Sequence, residues 1–437
     1  SGDYVKLNKA TLFTSLLFCT GLSFASTTWM EEGINKNYAE TVQLRRDIHR
    51  HPELGNQEIN TQQKVVNYLK QQGIEVVTGW KNAPTAVIGI INPDKKNTVA
   101  LRSELDALPI KENTGLSFAS QSTGQFMGQE VPVSHMCGHD VHMAMLLSAA
   151  KILQQNKDKF NNRVVLIFQP AEEGDSIHDL FDENLPVSGA NALVQDGLME
   201  KYAIKRVFGI HVMARLPAGK MWIAQGPALN SVDDFIIKVE GKQSHGAMPW
   251  AGSDATLTAA NIVVALQQIV SRNADLSSGM GVITVGKLTA GETANVMSGK
   301  AEMVGTIRSN NADIRQTLLT RIPQVAEGIA DAAGAKAITQ IVKIYPVTMN
   351  NPQLVETMVP LLQKQGIDAE INNWNPGASE DFSFYAQKAP GMFMFLGADA
   401  AGTSDVQNNH SDKFNVDETT MRTGVMAHLV AATSELE

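Results

Sequence analysis

The sequence predicts an α/β protein: a mainly parallel sheet with helices on both faces, interrupted by an α+β unit of four antiparallel strands and two helices. Three observations carry that reading. Short, largely apolar runs such as Arg163–Phe168 and Gly391–Leu396 read as strands buried on both faces. Helical patterns alternate with such runs, as a parallel sheet requires. Near Ala228 the pattern changes: Asp234–Glu240 alternates, with Phe235, Ile237 and Val239 on one face of a half-exposed strand.

The chain has 437 residues, more than one hydrophobic core usually accommodates, so two domains are expected. Lys6 and Lys9 precede the apolar run Ala10–Leu22 and the exit Ser23-Phe24-Ala25, the pattern of a secretory signal over residues 1–25. That places the mature protein outside the cytoplasm, secreted or periplasmic in a bacterium, and free of the membrane. From Tyr38 to about Ile48 the apolar spacing is helical, until Pro52 disfavours helix at His51. For His49 and His51, capping and surface roles are favoured over metal ligation. Thr61–Leu69 is the next helix, stopped by Gly73, and Ala86–Ile91 and Val99–Leu101 are strands. The inserted unit takes its strands from Asp234–Glu240, Gly281–Lys287, Ala301–Arg308 and Ala337–Ile344. Its helices are Ser253–Ser271 and Asn311–Ala333, the second carrying a kink-prone Pro323. α/β character resumes with the helix Leu354–Gln365. The expected units are therefore 31–227 and 345–437, which together form the catalytic domain, and the insert 228–344.

Composition is that of an ordinary globular protein, 43% hydrophobic and 19% charged. A formal net charge of −9 and scattered basic residues offer no field for nucleic acid or an anionic membrane.

The chemistry centres on His135-Met136-Cys137-Gly138-His139-Asp140-Val141-His142, read as a loop leading into a helix from Met143. In an extended loop, Cys137 and His139 point to one side. Thiolate and imidazole are ligands for zinc and similar ions. Once the signal is removed Cys19 is lost, and metal ligation gives a lone Cys137 thiol a reason to persist in an oxidising compartment. Other candidate groups lie at or beyond strand ends, where ligands bind in open α/β sheets. Glu172 and Glu173 follow Arg163–Phe168, His211 follows Val207–Ile210, His410 follows Gly391–Leu396, and Arg102, Glu104 and Asp106 follow Val99–Leu101. On an extended segment Glu172 and Glu173 point opposite ways, so one can bind metal while the other moves a proton. His142, His178 and His428 read as structural.

A resemblance spans about Tyr38 to the C-terminus. Arg45-Arg-Asp-Ile-His-Arg-His-Pro-Glu53, Leu101-Arg-Ser-Glu-Leu-Asp-Ala-Leu-Pro109, Met136–Asp140, Gln169–Glu173, His211-Val212, Ser244-His245-x-Ala247-x-Pro249, Gly377–Phe382 and His410-Ser411 occur in order. Together they resemble the metal-dependent amidohydrolases that include hippurate hydrolase, indole-acetyl-amino-acid hydrolases and N-acetyl-diaminopimelate deacetylase. The resemblance implies a two-metal exopeptidase-like fold and hydrolysis of N-acyl amino acids (acetyl, benzoyl or aryl-acetyl). It implies two divalent ions per subunit, held by Cys137, His139, Glu173, His211 and His410, with Glu172 as general base. Zinc or manganese is expected, and cobalt and nickel also suit such ligands. The insert would be a lid and dimerisation domain of a homodimer, carrying His245 into an active site. Apart from the resemblance, Arg308 or Asn295 of the insert is a candidate to hold the carboxylate of the product amino acid. Glu104 stands where the family usually has Asp, and Met136 where it commonly has Ala. Two competing readings remain: Cys137 as a nucleophile with a histidine base, and a silent binding protein on the same fold.

Overall fold

The computed structural model describes residues 28–436, so the proposed signal sequence and Cys19 lie outside the described residues. Helix α1 (Trp29–Arg50) begins nine residues before the expected Tyr38. Thr28 caps it by accepting the Glu31 N–H, and Met30 and Ile34 are buried along its first turns. After α2 (Ile59–Gln71) come β1 (Glu75–Val77), β2 (Val87–Ile91), β3 (Asn97–Glu104), α3 (His139–Gln155), β4 (Asn162–Gln169), β5 (Ile204–Pro217) and β6 (Lys220–Ile223). The chain then leaves this sheet through β7 (Ser231–Glu240), α4 (Ala255–Arg272), β8 (Gly281–Ala290), β9 (Lys300–Ser309), α5 (Ala312–Ala332) and β10 (Lys336–Tyr345). It returns through α6 (Pro352–Lys364), β11 (Asp368–Ile371), β12 (Gly391–Asp399) and α7 (Thr420–Thr433).

The large sheet has the order β1-β2-β4-β3-β5-β12-β6-β11. Its centre, β4, β3, β5 and β12, is parallel throughout, and antiparallel pairs occur only toward the edges. Strands from before and after the inserted segment thus share one sheet. Apolar clusters cover both faces: Leu101, Leu166, Phe208 and Met394 point to one, and Ala100, Val165, Val207 and Phe393 to the other. Helix α3 is buried nearly all round because α1, α7 and the sheet enclose it.

The inserted segment forms its own four-stranded antiparallel sheet, β8-β9-β7-β10, with α4 and α5 packed on the face bearing Phe235, Ile237 and Val239. Helix α5 continues through Pro323. Among the described residues no helix is long and apolar enough to cross a membrane.

Candidate metal centre

The cluster is built at the carboxyl ends of β3 and β4 and midway along β5. Cys137 closes a loop, and His139 is already the first residue of α3, four residues earlier than the sequence reading placed the helix. Gly138 makes the turn between them at φ 108°, and a Cβ there would lie 2.3 Å from Val212 Cγ2, so only glycine fits. Likewise His211 does not follow its strand but lies inside β5, opposite Phe395 of β12, because β5 runs on to Pro217.

Each imidazole is oriented by its other nitrogen. His139 Nδ1 donates to the Asp106 carbonyl at 2.7 Å, and His211 Nδ1 to the Val212 carbonyl at 2.9 Å. A carbonyl only accepts, so both rings turn Nε2 toward the centre, as metal-ligating histidines do. Cys137 Sγ lies 3.4 Å from His211 Nε2 and 3.3 Å from His410 Nε2. His410, exposed and held at φ 68°, has Nε2 3.2 Å from Glu173 Oε1. Two of the groups whose donor atoms lie within 4.8 Å of one another share a residue: Cys137 with His139 and His211, and Cys137 with Glu173 and His410; another joins His139 with Glu172 and Glu173.

Glu172 and Glu173 do not diverge as an extended segment would make them. Ala171 has φ 50°, which starts a turn and brings both carboxylates to one side. Glu172 Oε2 lies 3.5 Å and Glu173 Oε1 3.9 Å from His139 Nε2. Asp106 braces this turn by accepting the Glu173 N–H at 2.8 Å.

The electrostatics call for positive charge. Burial, then Glu173 and Glu172, pushes the Cys137 thiol well above its ordinary range. Burial alone would lower His139, yet Glu104 and Asp106 outweigh it and push the ring up to about 10. Burial would raise Glu173, but His410 beside it holds it down at about 2. Glu172 goes the other way: burial, then Glu380 and Glu173, drives its carboxyl well above the usual range. His139 Nε2 and Glu173 Oε1 are buried without a hydrogen-bond partner among the described residues. Unsatisfied groups of this kind are costly unless a ligand takes them. A soft thiolate, imidazole nitrogens and a carboxylate, oriented inward with unused lone pairs, fit a divalent transition metal.

The surrounding layer explains several histidines. His142 is not free to bind metal: Nδ1 donates to Glu104 at 2.8 Å and Nε2 accepts the Val212 N–H at 2.9 Å. His49 is buried, which corrects the surface reading; it bridges Asp140 at 2.8 Å and Glu112 at 2.9 Å. His51 is exposed as expected, and His428 is buried in a structural position. Arg102 is fully buried and pairs with Glu104, and with Glu380 and Asp381 at 2.6 Å each. Glu380 and Asp381, which sequence reasoning left without a role, therefore face Glu172. Their signal was the Gly377–Phe382 stretch.

The inserted segment reaches this region through Tyr345 and Arg308, among other contacts. Tyr345 donates its hydroxyl to the Glu172 carbonyl at 2.5 Å, and Arg308 Nη1 donates to Ser379 Oγ at 3.1 Å. Arg308 thus stands at the rim of the site. His245 and Asn295 do not join the cluster within one chain. His245 pairs with Val296 in a two-stranded ribbon, is exposed, and accepts the Ala247 N–H at 3.0 Å; the Asn295 carbonyl accepts the Gly246 N–H at 2.8 Å. A cleft of about 600 Å³ beside them is lined by Gly246, Thr293 and Val296.

Comparison with known proteins gives a consistent result. The profile of Peptidase family M20/M25/M40 matches residues 100–432. Thermostable carboxypeptidase 1 of Saccharolobus solfataricus is 35% identical over 90% of this chain and 94% of its own length. N-acetylcysteine deacetylase of Bacillus subtilis is 32% identical over 87% and 93%. The crystal structure of a dinuclear metal binding peptidase from the M20 family, also from Bacillus subtilis, superposes with a TM-score of 0.73. It is 29% identical and covers 91% of this chain and 98% of that one.

Proposed function

Because the chain belongs to peptidase family M20/M25/M40, we propose that it hydrolyses the amide bond of N-acyl amino acids, releasing a carboxylic acid and a free amino acid. The observation that carries this reading is the pair of donor groups sharing Cys137, beside a buried Glu172 outside both. Support for the substrate class comes from the N-acetylcysteine deacetylase relative, whose named substrate carries a carboxylate on the amine side of its amide.

Cys137, His139 and His211 would hold one divalent ion, and Cys137, Glu173 and His410 a second. Such a pair acidifies water and polarises the scissile carbonyl. Glu172 does the proton work. It takes a proton from the attacking water as the new C–O bond forms, then delivers one to the amine nitrogen as the C–N bond breaks. Burial, then Glu380, Glu173 and Asp381, raises its proton affinity, which suits a group that must accept and then return a proton. Arg102, paired with Glu104, Glu380 and Asp381, keeps that acidic layer in place. We assign Arg308 and Asn295 to the substrate carboxylate. His245 would donate to the developing oxyanion of the partner subunit's site, since within its own chain it stays outside the cluster. That assignment requires a homodimer built through the inserted segment. The first 25 residues, read as a signal, support an activity in the periplasm or outside the cell.

A panel of N-acetyl, N-benzoyl and indole-acetyl amino acids plus a dipeptide, each run with zinc, manganese, cobalt and nickel, tests the reading. It predicts metal-dependent release of free amino acid from at least one acyl class. Turnover of the dipeptide alone would move the assignment to a peptidase.

A further inference from the structure

Beyond the ligand cluster lies a fully buried carboxylate with no role in the chemistry above. Glu58 stands at the N-cap of α2, yet its side chain makes no cap bond to its own helix. It reaches instead across to the catalytic turn: Oε1 accepts the Ala171 N–H at 2.9 Å and Oε2 accepts the Thr85 hydroxyl at 2.8 Å. Ala171 is the residue held at φ 50° directly before Glu172 and Glu173. Its neighbours are gripped by the same segment. A Cβ on Gly55 would lie 2.3 Å from the Gly174 carbonyl oxygen and 3.1 Å from Ala171 Cα. Ser176 donates its hydroxyl to the Gly55 carbonyl at 2.6 Å, and Asn56 donates to Asp175 at 2.8 Å.

We infer that Glu58 is a positioning residue: by holding the Ala171 N–H it fixes the left-handed turn that aims Glu172 at the reacting centre. The inference rests on the assignment of Glu172 as the proton-transfer group. Alanine has no intrinsic preference for positive φ, because its Cβ crowds the following carbonyl. Such a conformation persists only where the surroundings over-determine it, and the buried Glu58 carboxyl is the side-chain acceptor at that position. Either protonation state leaves Oε1 able to accept. Without the acceptor, Ala171 is free to relax toward negative φ and carry Glu172 with it. Displacement of a reacting group by about 1 Å can cost on the order of 10²-fold in rate.

The test compares Glu58→Ala, Glu58→Gln and the double variant Glu58→Ala/Ala171→Gly with the wild-type holoenzyme. It reads kcat and KM, together with hydrogen exchange by mass spectrometry over a peptide containing residues 169–174. In Glu58→Ala, kcat should fall roughly 10- to 100-fold with KM changed little. Exchange should quicken at 169–174 while Val164–Phe168 stays protected. Glu58→Gln keeps an acceptor and should retain most of the turnover and the protection. Glycine adopts positive φ without penalty, so the double variant should recover several-fold of the lost kcat. Unchanged exchange in Glu58→Ala overturns the inference. So does a kcat loss that is shared by Glu58→Gln and is not relieved by Ala171→Gly, because the role would then be structural. If the wild type hydrolyses nothing in the substrate panel, the functional reading fails separately, and exchange at Ala171 still decides whether Glu58 holds the turn.

Discussion

Glu172 and Glu173, neighbours in sequence, converge on a single atom, with their carboxylates 3.5 Å and 3.9 Å from His139 Nε2. What separates them is the company on their other sides. Glu173 faces Cys137 and His410, whereas Glu172 faces Glu380 and Asp381. This difference in surroundings supports the proposal that Glu173 binds metal and Glu172 moves protons.

Glu172→Gln should keep its metal and lose turnover by roughly 10²–10⁴-fold, the range for a general acid–base group. Glu173→Ala should lose metal as well. Metal content by mass spectrometry of both purified variants checks this. A metal-free Glu172→Gln beside a fully loaded Glu173→Ala would reverse the roles.

Cys137 should behave as a masked thiolate. A metal-bound thiolate is shielded from thiol reagents and is released only by chelation. A protein lacking Cys19 should show almost no thiol reactive to a chromogenic disulfide when loaded, and one after chelation. Rapid labelling before chelation, with loss of activity, would point to a nucleophilic cysteine.

Much of this was legible in the sequence, for a physical reason. Strands buried on both faces are apolar without interruption, so β4 and β12 stood out, and so did the polar groups at their ends. Three features were not legible. The turn at Ala171 uses positive φ at a residue that does not advertise it. His49 is buried because of Asp140 and Glu112, 91 and 63 residues away in sequence. His211 looked terminal because Val207–Ile210 is the apolar part of β5, and the strand continues through mixed residues to Pro217.

Assembly should be reciprocal. If the partner's His245 serves each active site, mixing Glu172→Ala with His245→Ala under subunit exchange should restore roughly a quarter of wild-type activity. Half the dimers are then mixed, and each has one intact site. No recovery, with exchange confirmed by native mass spectrometry, would place His245 in its own subunit's site or outside catalysis.

Glu58 should leave a signature in stability. Burial, then the Asp106 charge, raises its carboxyl from 4.5 to about 8. Between those values the unfolded chain releases the proton while the folded protein retains it. The folded state binds more protons there, so this group makes stability fall as pH rises through the window. The amide of Glu58→Gln stays neutral throughout. Urea midpoints at pH 5 and pH 8 should therefore show the wild type losing ground to Glu58→Gln at the higher pH; parallel profiles would contradict the raised value.

In the proposed function, Cys137, His139, Glu173, His211 and His410 hold two metal ions that amide hydrolysis requires. The most direct measurement is a titration of chelated protein with zinc or manganese, following bound metal and release of amino acid from an N-acyl substrate in the same samples. No hydrolysis is expected without metal, and full activity only as a second equivalent per subunit binds. Undiminished hydrolysis by the metal-free protein, or saturation of both binding and activity at one equivalent, would contradict the two-metal proposal.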